Sequence, residues 1–305
     1  MDRAASRTTS RTRAVVAWAL VILLGTAPVA VADIVGSSRP DSVVPAQLVT
    51  GTAGLILIVV IRPLRPLARF AAVLVVLAGL LSVTSQLDLA WPALQRLLGG
   101  DLRGAASFGA VMQPGQTAKL LVALAMIALL LAMGLRPRDF FLRIGSVAAP
   151  IRPVPLLGFP RAESWRRFGL VWGFGIAGML AVAQWLAMAP SAAALAALPG
   201  ALPAIVLWAA LNAFSEEMAL RAPMIATSAP VVGDGAALWM SAVYFGVAHY
   251  FGVPGGAAGA TLSIFMGFIL SKAMIETRGL LWPWAIHFLS DVVIFSFLAM
   301  SLAPV

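Results

Sequence analysis

Glutamate, histidine, aspartate and arginine stand inside otherwise apolar stretches of this chain, in three short groups. The first is Glu216, Glu217 and Arg221 in "NAFSEEMALRAP" (212–223). The second is Phe245 and His249 in "YFGVAHY" (244–250), and the third is His287 and Asp291 in "HFLSD" (287–291). Carboxylates beside imidazoles can take a proton from water and return it to a leaving group near neutral pH. His249 and His287 are the two histidines of the whole chain. Ionisable groups at membrane depth are rare and usually line a functional cavity. A polar cluster that only locks helices together does not require both histidines.

Helical spacing divides the roles. Glu217 and Arg221 are i and i+4 with the acid N-terminal, the favourable order for an ion pair. Glu216 points about 100° away around the helix, so Arg221 neutralises Glu217 and leaves Glu216 facing elsewhere. Pro223 removes a backbone hydrogen bond just beyond the pair and is expected to kink the helix there. Phe245 shares a face with His249, where its ring excludes lipid, and His287 shares a face with Asp291, which can orient the imidazole or a substrate. Two chemistries fit this set. Without metal, Glu216 and His249 form a general base. With zinc, Glu216, His249 and His287 would be a two-histidine, one-carboxylate site with an open position for water. We favour the metal-free form, with no cofactor. The H-E-x-x-H and G-x-S-x-G patterns are absent, and Ser290 points off the face shared by His287 and Asp291.

The elements that position these groups are membrane helices. The chain has 305 residues, 61% hydrophobic and 11% charged, against about half and a quarter in a soluble domain. No cysteine is present, which removes disulfides and thiolate metal sites. The net charge of +9 falls between apolar spans and reads as topology, so no nucleic-acid partner is expected. Nine spans can be drawn at 14–32, 43–61, 70–87, 117–135, 168–189, 200–227, 236–251, 257–275 and 282–302. "APVAVA" (27–32) imitates a signal-peptidase site, but its run is long enough to span and is read as an anchored first helix. With the N-terminus inside, 17 of the 21 Lys and Arg lie at the inner face, leaving Arg39, Arg96, Arg103 and Lys119 outside. Lys272, near an inner helix end, is expected to snorkel.

The expected fold is therefore all-α, a polytopic transmembrane helical bundle of about nine spans. Residues 1–135 form a four-helix membrane segment and 136–167 a basic, Pro-rich cytoplasmic loop lying along the membrane surface. Residues 168–305 form the bundle that carries the chemistry. The outer loop 88–116 is expected to hold a short interfacial helix. The G-x-x-x-G of Gly169 and Gly173 reads as close helix packing, and "GVPGGAAGA" (252–260) as a turn with tight packing. At about 1.5 Å per residue, Glu216 stands roughly 16 Å from the inner end of its span, His249 about 20 Å and His287 about 8 Å. Three helices can bring such groups together.

The ordered set "EEMALR", "FGVAH" and "HFLSD" resembles the CAAX-protease and bacteriocin-processing family of intramembrane endopeptidases, which includes the type II CAAX prenyl proteases. Its motifs are E-E-x-x-x-R, F-x-x-x-H and H-x-x-x-N or D. The resemblance covers residues 168–302 and implies that Glu216 with His249 activates a water that attacks the scissile carbonyl. His287 and Asp291 would bind the developing oxyanion, while Glu217 and Arg221 hold the shape of the site. Asp291 stands where the prenyl proteases have Asn, and an ionised carboxylate cannot donate to an oxyanion. "LRA" (220–222) also replaces the usual Phe-Arg-Gly.

The expectation is thus a multi-pass peptidase of a bacterial cytoplasmic membrane, in contact with lipid and acting on a peptide or membrane-protein substrate from the cytoplasmic side. A catalytically inactive scaffold and a proton- or cation-coupled transporter are the alternatives; the lack of an internal repeat weakens the second.

Overall fold

The computed structural model describes residues 2–36, 43–97 and 107–302. Its elements are α1 (Asp2–Leu24), α2 (Ala27–Ile34), α3 (Val43–Val60), α4 (Ala68–Thr84), α5 (Pro92–Leu97) and α6 (Phe108–Ala132). After the loop follow α7 (Trp165–Met188), α8 (Ala192–Glu216), α9 (Ala222–Val232), α10 (Asp234–Ala248), α11 (Gly256–Thr277) and α12 (Leu281–Ser301). Among the described residues the protein is all-α. Arg39 and Arg103 lie outside them.

Seven helical stretches are long and apolar enough to cross a membrane, or eight if the bent α1–α2 pair is one span. Two of the nine drawn spans change character. Residues 14–32 are broken by 53° between α1 and α2, at Gly25 and Thr26 and just before Pro28. A Cβ on Gly25 would lie 3.2 Å from the Tyr244 ring. The span drawn at 236–251 is the 15-residue α10, about 22 Å long and short of the roughly 30 Å apolar core.

Helix α6 corrects the position of Lys119. It starts at Phe108, where Ser107 accepts from the Ala110 N–H, and not near 117. Lys119 is therefore well inside a helix rather than at its outer mouth. "QPGQ" (113–116) resembles a loop, but Pro114 is tolerated within α6. Gln95 Nε2 comes to 3.5 Å from Ala110 O, the carbonyl that Pro114 leaves without an N–H. The short α5 confirms that the 88–116 segment contains a helix.

Helices α8 and α9 form one apolar stretch, Ala192–Val232, interrupted by a π turn at Glu217–Arg221. Ala222 N donates to Glu217 O across that turn, and Pro223 follows as the second residue of α9. The expected disturbance before Pro223 is thus a π-bulge, a feature frequent at functional sites. Because α9 runs on to Val232, Glu216 stands about 24 Å from that end, farther than the span to 227 implies.

Packing brings the groups together. Helix α12 lies against α8 and α7, α10 runs along α11, and α6 lies on α8. Gly169 leaves room for the Trp282 ring, which an added Cβ would overlap, and Gly173 faces Ile286 at 3.4 Å. Close packing thus explains this pair of glycines. Phe70, Leu74, Met126 and Leu130 share one apolar core with Met218 and Ala219 of the π turn. The N-terminal helices therefore form part of the wall behind the site.

The 136–167 loop is tied to helix ends. Ser146 N donates to Thr277 O at 2.8 Å, Leu280 N to Arg143 O at 2.8 Å, and Trp282 Nε1 to Val147 O at 2.9 Å. Lys272 does not snorkel. It is buried, with Nζ 2.6 Å from Glu276 Oε1 and 2.9 Å from Arg152 O, while Trp165 Nε1 donates to Glu276 Oε2 at 2.9 Å.

Candidate active site

The three groups meet at the break between α8 and α9. Glu216 is the last residue of α8 and Glu217 the first of the π turn, so the twin acids leave the helix in different directions. Glu217 turns into the protein and is fully buried. Its Oε1 accepts from Arg221 Nη1 at 2.5 Å and from His287 Nδ1 at 2.9 Å. Arg221, also fully buried, donates through Nε to Ser271 Oγ on α11 at 3.2 Å. Its guanidinium lies over the Phe245 ring at 4.5 Å, an attraction that strengthens when water is excluded.

Glu216 turns toward the imidazoles. Its Oε2 lies 3.7 Å from His249 Nε2 and 3.6 Å from His287 Nε2. That oxygen is buried and has no hydrogen-bond partner among the described residues. His249 follows the end of α10 and places Nδ1 2.8 Å from Phe245 O. A carbonyl only accepts, so Nδ1 carries the proton and the neutral ring presents its lone pair at Nε2. The Phe245 ring is 4.3 Å from the His249 ring and 5.5 Å edge-on from His287, so it orders both imidazoles.

Asp291 is one turn beyond His287 on α12, with Oδ2 3.7 Å from His287 Nε2. That is too long for a direct hydrogen bond. Its close partner is Asn212 Nδ2, at 2.9 Å. Ser290 donates to Ile286 O along its own helix at 3.0 Å and is not poised beside a base.

Three residues that the sequence does not mark as part of the site complete the arrangement. Lys119 Nζ lies 2.6 Å from Glu216 Oε1 and 2.6 Å from Asn212 Oδ1. Gln116 Nε2 reaches the same Asn212 oxygen at 3.2 Å. Asn212 was legible in principle, because it stands four residues before Glu216 on the same helical face. Lys119 was hidden by the late start assigned to its helix.

A cavity of about 200 Å³ opens from His249, His287 and Asp291 between α7, α11 and α12. Met179, Leu180 and Met266 give it an apolar wall. Among the described residues no group of three or more His, Asp or Glu side chains is disposed to hold a metal ion. A zinc ion there would draw on Glu216 Oε2, His249 Nε2 and His287 Nε2, with Glu216 Oε2 3.6–3.7 Å from both nitrogens. The Lys119 ammonium on Glu216 Oε1 opposes a second cation there.

These features define a polytopic helical membrane protein with a carboxylate–imidazole cluster enclosed by its spans. Residues 197–293 match the family model of the Rce1-like type II CAAX prenyl endopeptidase, and the chain carries a domain of that family over this stretch. The match includes both glutamates, both histidines and Asp291, while Lys119 lies outside it. No curated protein and no solved structure matches the chain significantly.

Proposed function

We propose that this chain is an intramembrane endopeptidase that hydrolyses a peptide bond with water activated by Glu216 and His249, without metal. The observation that carries this reading is the unpartnered Glu216 Oε2, held 3.6–3.7 Å from both Nε2 atoms. A water can bridge oxygen and nitrogen atoms at that spacing with hydrogen bonds of about 2.8 Å. It directs one proton to Glu216 Oε2 and the other to the lone pair of His249 Nε2.

The water oxygen attacks the scissile carbonyl carbon, the carbonyl π pair moves onto oxygen, and one water proton passes to the Glu216–His249 pair. His287 Nε2–H donates to the resulting oxyanion. Three carboxylates and two permanent cations surround this ring, so a protonated His287 balances the set. Collapse of the oxyanion breaks the carbon–nitrogen bond, and the stored proton goes to the leaving amine. Asp291 accepts from Asn212 and supports His287 through charge, since an ionised carboxylate has no hydrogen to give.

We read the N-terminus as inside, because the arginines of 62–69, 136–167 and 278 share one side in that orientation, and we propose that the site opens toward the cytoplasm. The substrate is a peptide or membrane-protein terminus with an apolar group for the cavity beside the histidines. A quenched-fluorescence peptide bearing a farnesylated cysteine followed by three residues is the first probe, given the substrate class named in the matched family. Wild-type proteoliposomes should cleave it, and Glu216→Gln proteoliposomes should not. Cleavage persisting in Glu216→Gln would overturn the assignment, and ion or solute flux without cleavage would favour a transporter.

A further inference from the structure

We propose that Lys119 is a positioning residue for Glu216, supplied to the site by a helix outside the family-matched stretch; the proposal rests on the proteolytic reading above. An ammonium inside an apolar helix needs partners to be tolerated at membrane depth. Lys119 has two, Glu216 Oε1 and Asn212 Oδ1, each at 2.6 Å. With Oε1 held, the carboxylate has one oxygen left, and that oxygen faces His249 Nε2 and His287 Nε2.

The same ammonium fixes the second acid of the site indirectly. Lysine only donates, so it is the oxygen of the Asn212 amide that faces α6. Gln116 Nε2 donates to that oxygen as well. The amide nitrogen is then committed to Asp291 Oδ2 at 2.9 Å. Lys119 thus orders Glu216 directly and Asp291 through Asn212, from the side opposite the imidazoles. Without it, Glu216 loses the partner of Oε1 and can rotate toward either imidazole. A buried Glu216 could also become protonated, which would remove the base.

The chain lacks cysteine, so Lys119→Cys introduces a single thiol. The Lys119 side chain has 43% of its surface uncovered by protein, so protein packing does not bar small reagents. The test compares wild type, Lys119→Met and Lys119→Cys in proteoliposomes with the farnesylated peptide. The Cys variant is then alkylated, after folding, with either 2-bromoethylamine or iodoacetamide. The first restores an ammonium at nearly the length of lysine, and the second adds a neutral amide. A parallel measurement maps dicyclohexylcarbodiimide labelling of Glu216 by peptide mass, since that reagent modifies protonated carboxyls in apolar settings.

The expected result is a kcat at least tenfold lower in Lys119→Met and in unmodified Lys119→Cys, with KM within threefold of wild type. Aminoethylation should return kcat to within threefold of wild type, and carbamidomethylation should not. Glu216 should be labelled in Lys119→Met and protected in wild type. An unchanged kcat in Lys119→Met, or equal rescue by both alkylations, would overturn the proposal. If wild type itself cleaves nothing, proteolysis is the reading that fails. The labelling then decides the Lys119 role alone: protection that depends on Lys119 sustains its hold on Glu216, and equal labelling removes it.

Discussion

His287 Nδ1 donates to Glu217 Oε1 at 2.9 Å, joining residues 70 positions apart through the same oxygen that binds Arg221. Glu217 therefore has two duties. It neutralises a fully buried guanidinium, and it fixes which nitrogen of His287 faces Glu216.

The first prediction follows from that shared oxygen. Glu217→Gln keeps an acceptor but removes the charge, leaving Arg221 as an uncompensated buried cation. Breaking a buried pair in this way costs about 3–5 kcal/mol, so the variant should be recovered in low yield and unfold at markedly lower temperature. Thermal unfolding of detergent-purified protein checks this. Wild-type yield and melting would show that Arg221 does not depend on Glu217.

Glu216→Gln should behave in the opposite way. Its partner Lys119 keeps Asn212 Oδ1 as an acceptor and part of its surface exposed, so losing this pair costs less than breaking the fully buried Glu217–Arg221 pair. The protein should accumulate normally, while cleavage falls by about 10²–10⁴, the range for loss of a general base. Yield and peptide cleavage measured together decide it. A low-yield, active Glu216→Gln would mean that the two glutamates have exchanged roles.

The separation of the twin acids was legible in sequence because i, i+4 spacing pairs Glu217 with Arg221 whatever the wider fold. The convergence of the three groups was also anticipated, since each stands on its own apolar stretch and the cost of unpaired charge forces them together. Lys119 was not legible. "QPGQ" carries loop signals, and only tertiary contacts at Gln95 and Trp208 show α6 continuing through it. Nor could periodicity give the His287–Glu217 bond, because the π turn changes the direction in which Glu217 leaves its helix. The number of spans differed for a related reason: apolar composition does not reveal that α10 ends at Ala248 after 15 residues.

Asn212→Leu tests the polar link between Lys119 and Asp291. It leaves Asp291 Oδ2 without its amide donor, and an unsatisfied buried acceptor costs about 1–3 kcal/mol. Cleavage should fall by about tenfold, the equivalent of 1.4 kcal/mol in the barrier, in protein that still folds. Steady-state kinetics with a melting curve measures both. An Asn212→Leu protein with wild-type kcat would remove Asn212 from the site.

Gly246 sets the approach of α10 to α11. A Cβ there would overlap Ile264 Cγ1 and lie 2.5 Å from Ile264 N. Gly246→Ala should therefore push the helices apart and destabilise by about 1–3 kcal/mol, disturbing the adjacent Phe245 and His249. Adding Ile264→Ala should not fully rescue it, because the backbone nitrogen remains in the way. Full recovery of melting temperature in the double variant would show that the contact is one of side chains alone.

The last prediction concerns metal. A zinc site needs three protein ligands directed at one point about 2.0–2.2 Å from each. Here His287 Nδ1 is committed to Glu217, and Glu216 Oε1 to an ammonium at 2.6 Å. Glu216 Oε2 and the two Nε2 atoms remain. A divalent ion among them would lie close to the Lys119 ammonium, which repels it. Neutralising Lys119 would weaken its hold on Glu216 and Asn212, so the present geometry favours a carboxylate–imidazole base over a metal-bound water. Cleavage of the farnesylated peptide should therefore be unaffected by 1,10-phenanthroline or EDTA, and His249→Ala should abolish it. Elemental analysis of protein purified without chelators should find well below one zinc per chain. Close to one zinc per chain, with activity removed by phenanthroline and restored by added zinc, would replace the Glu216–His249 base with a metal-bound nucleophile.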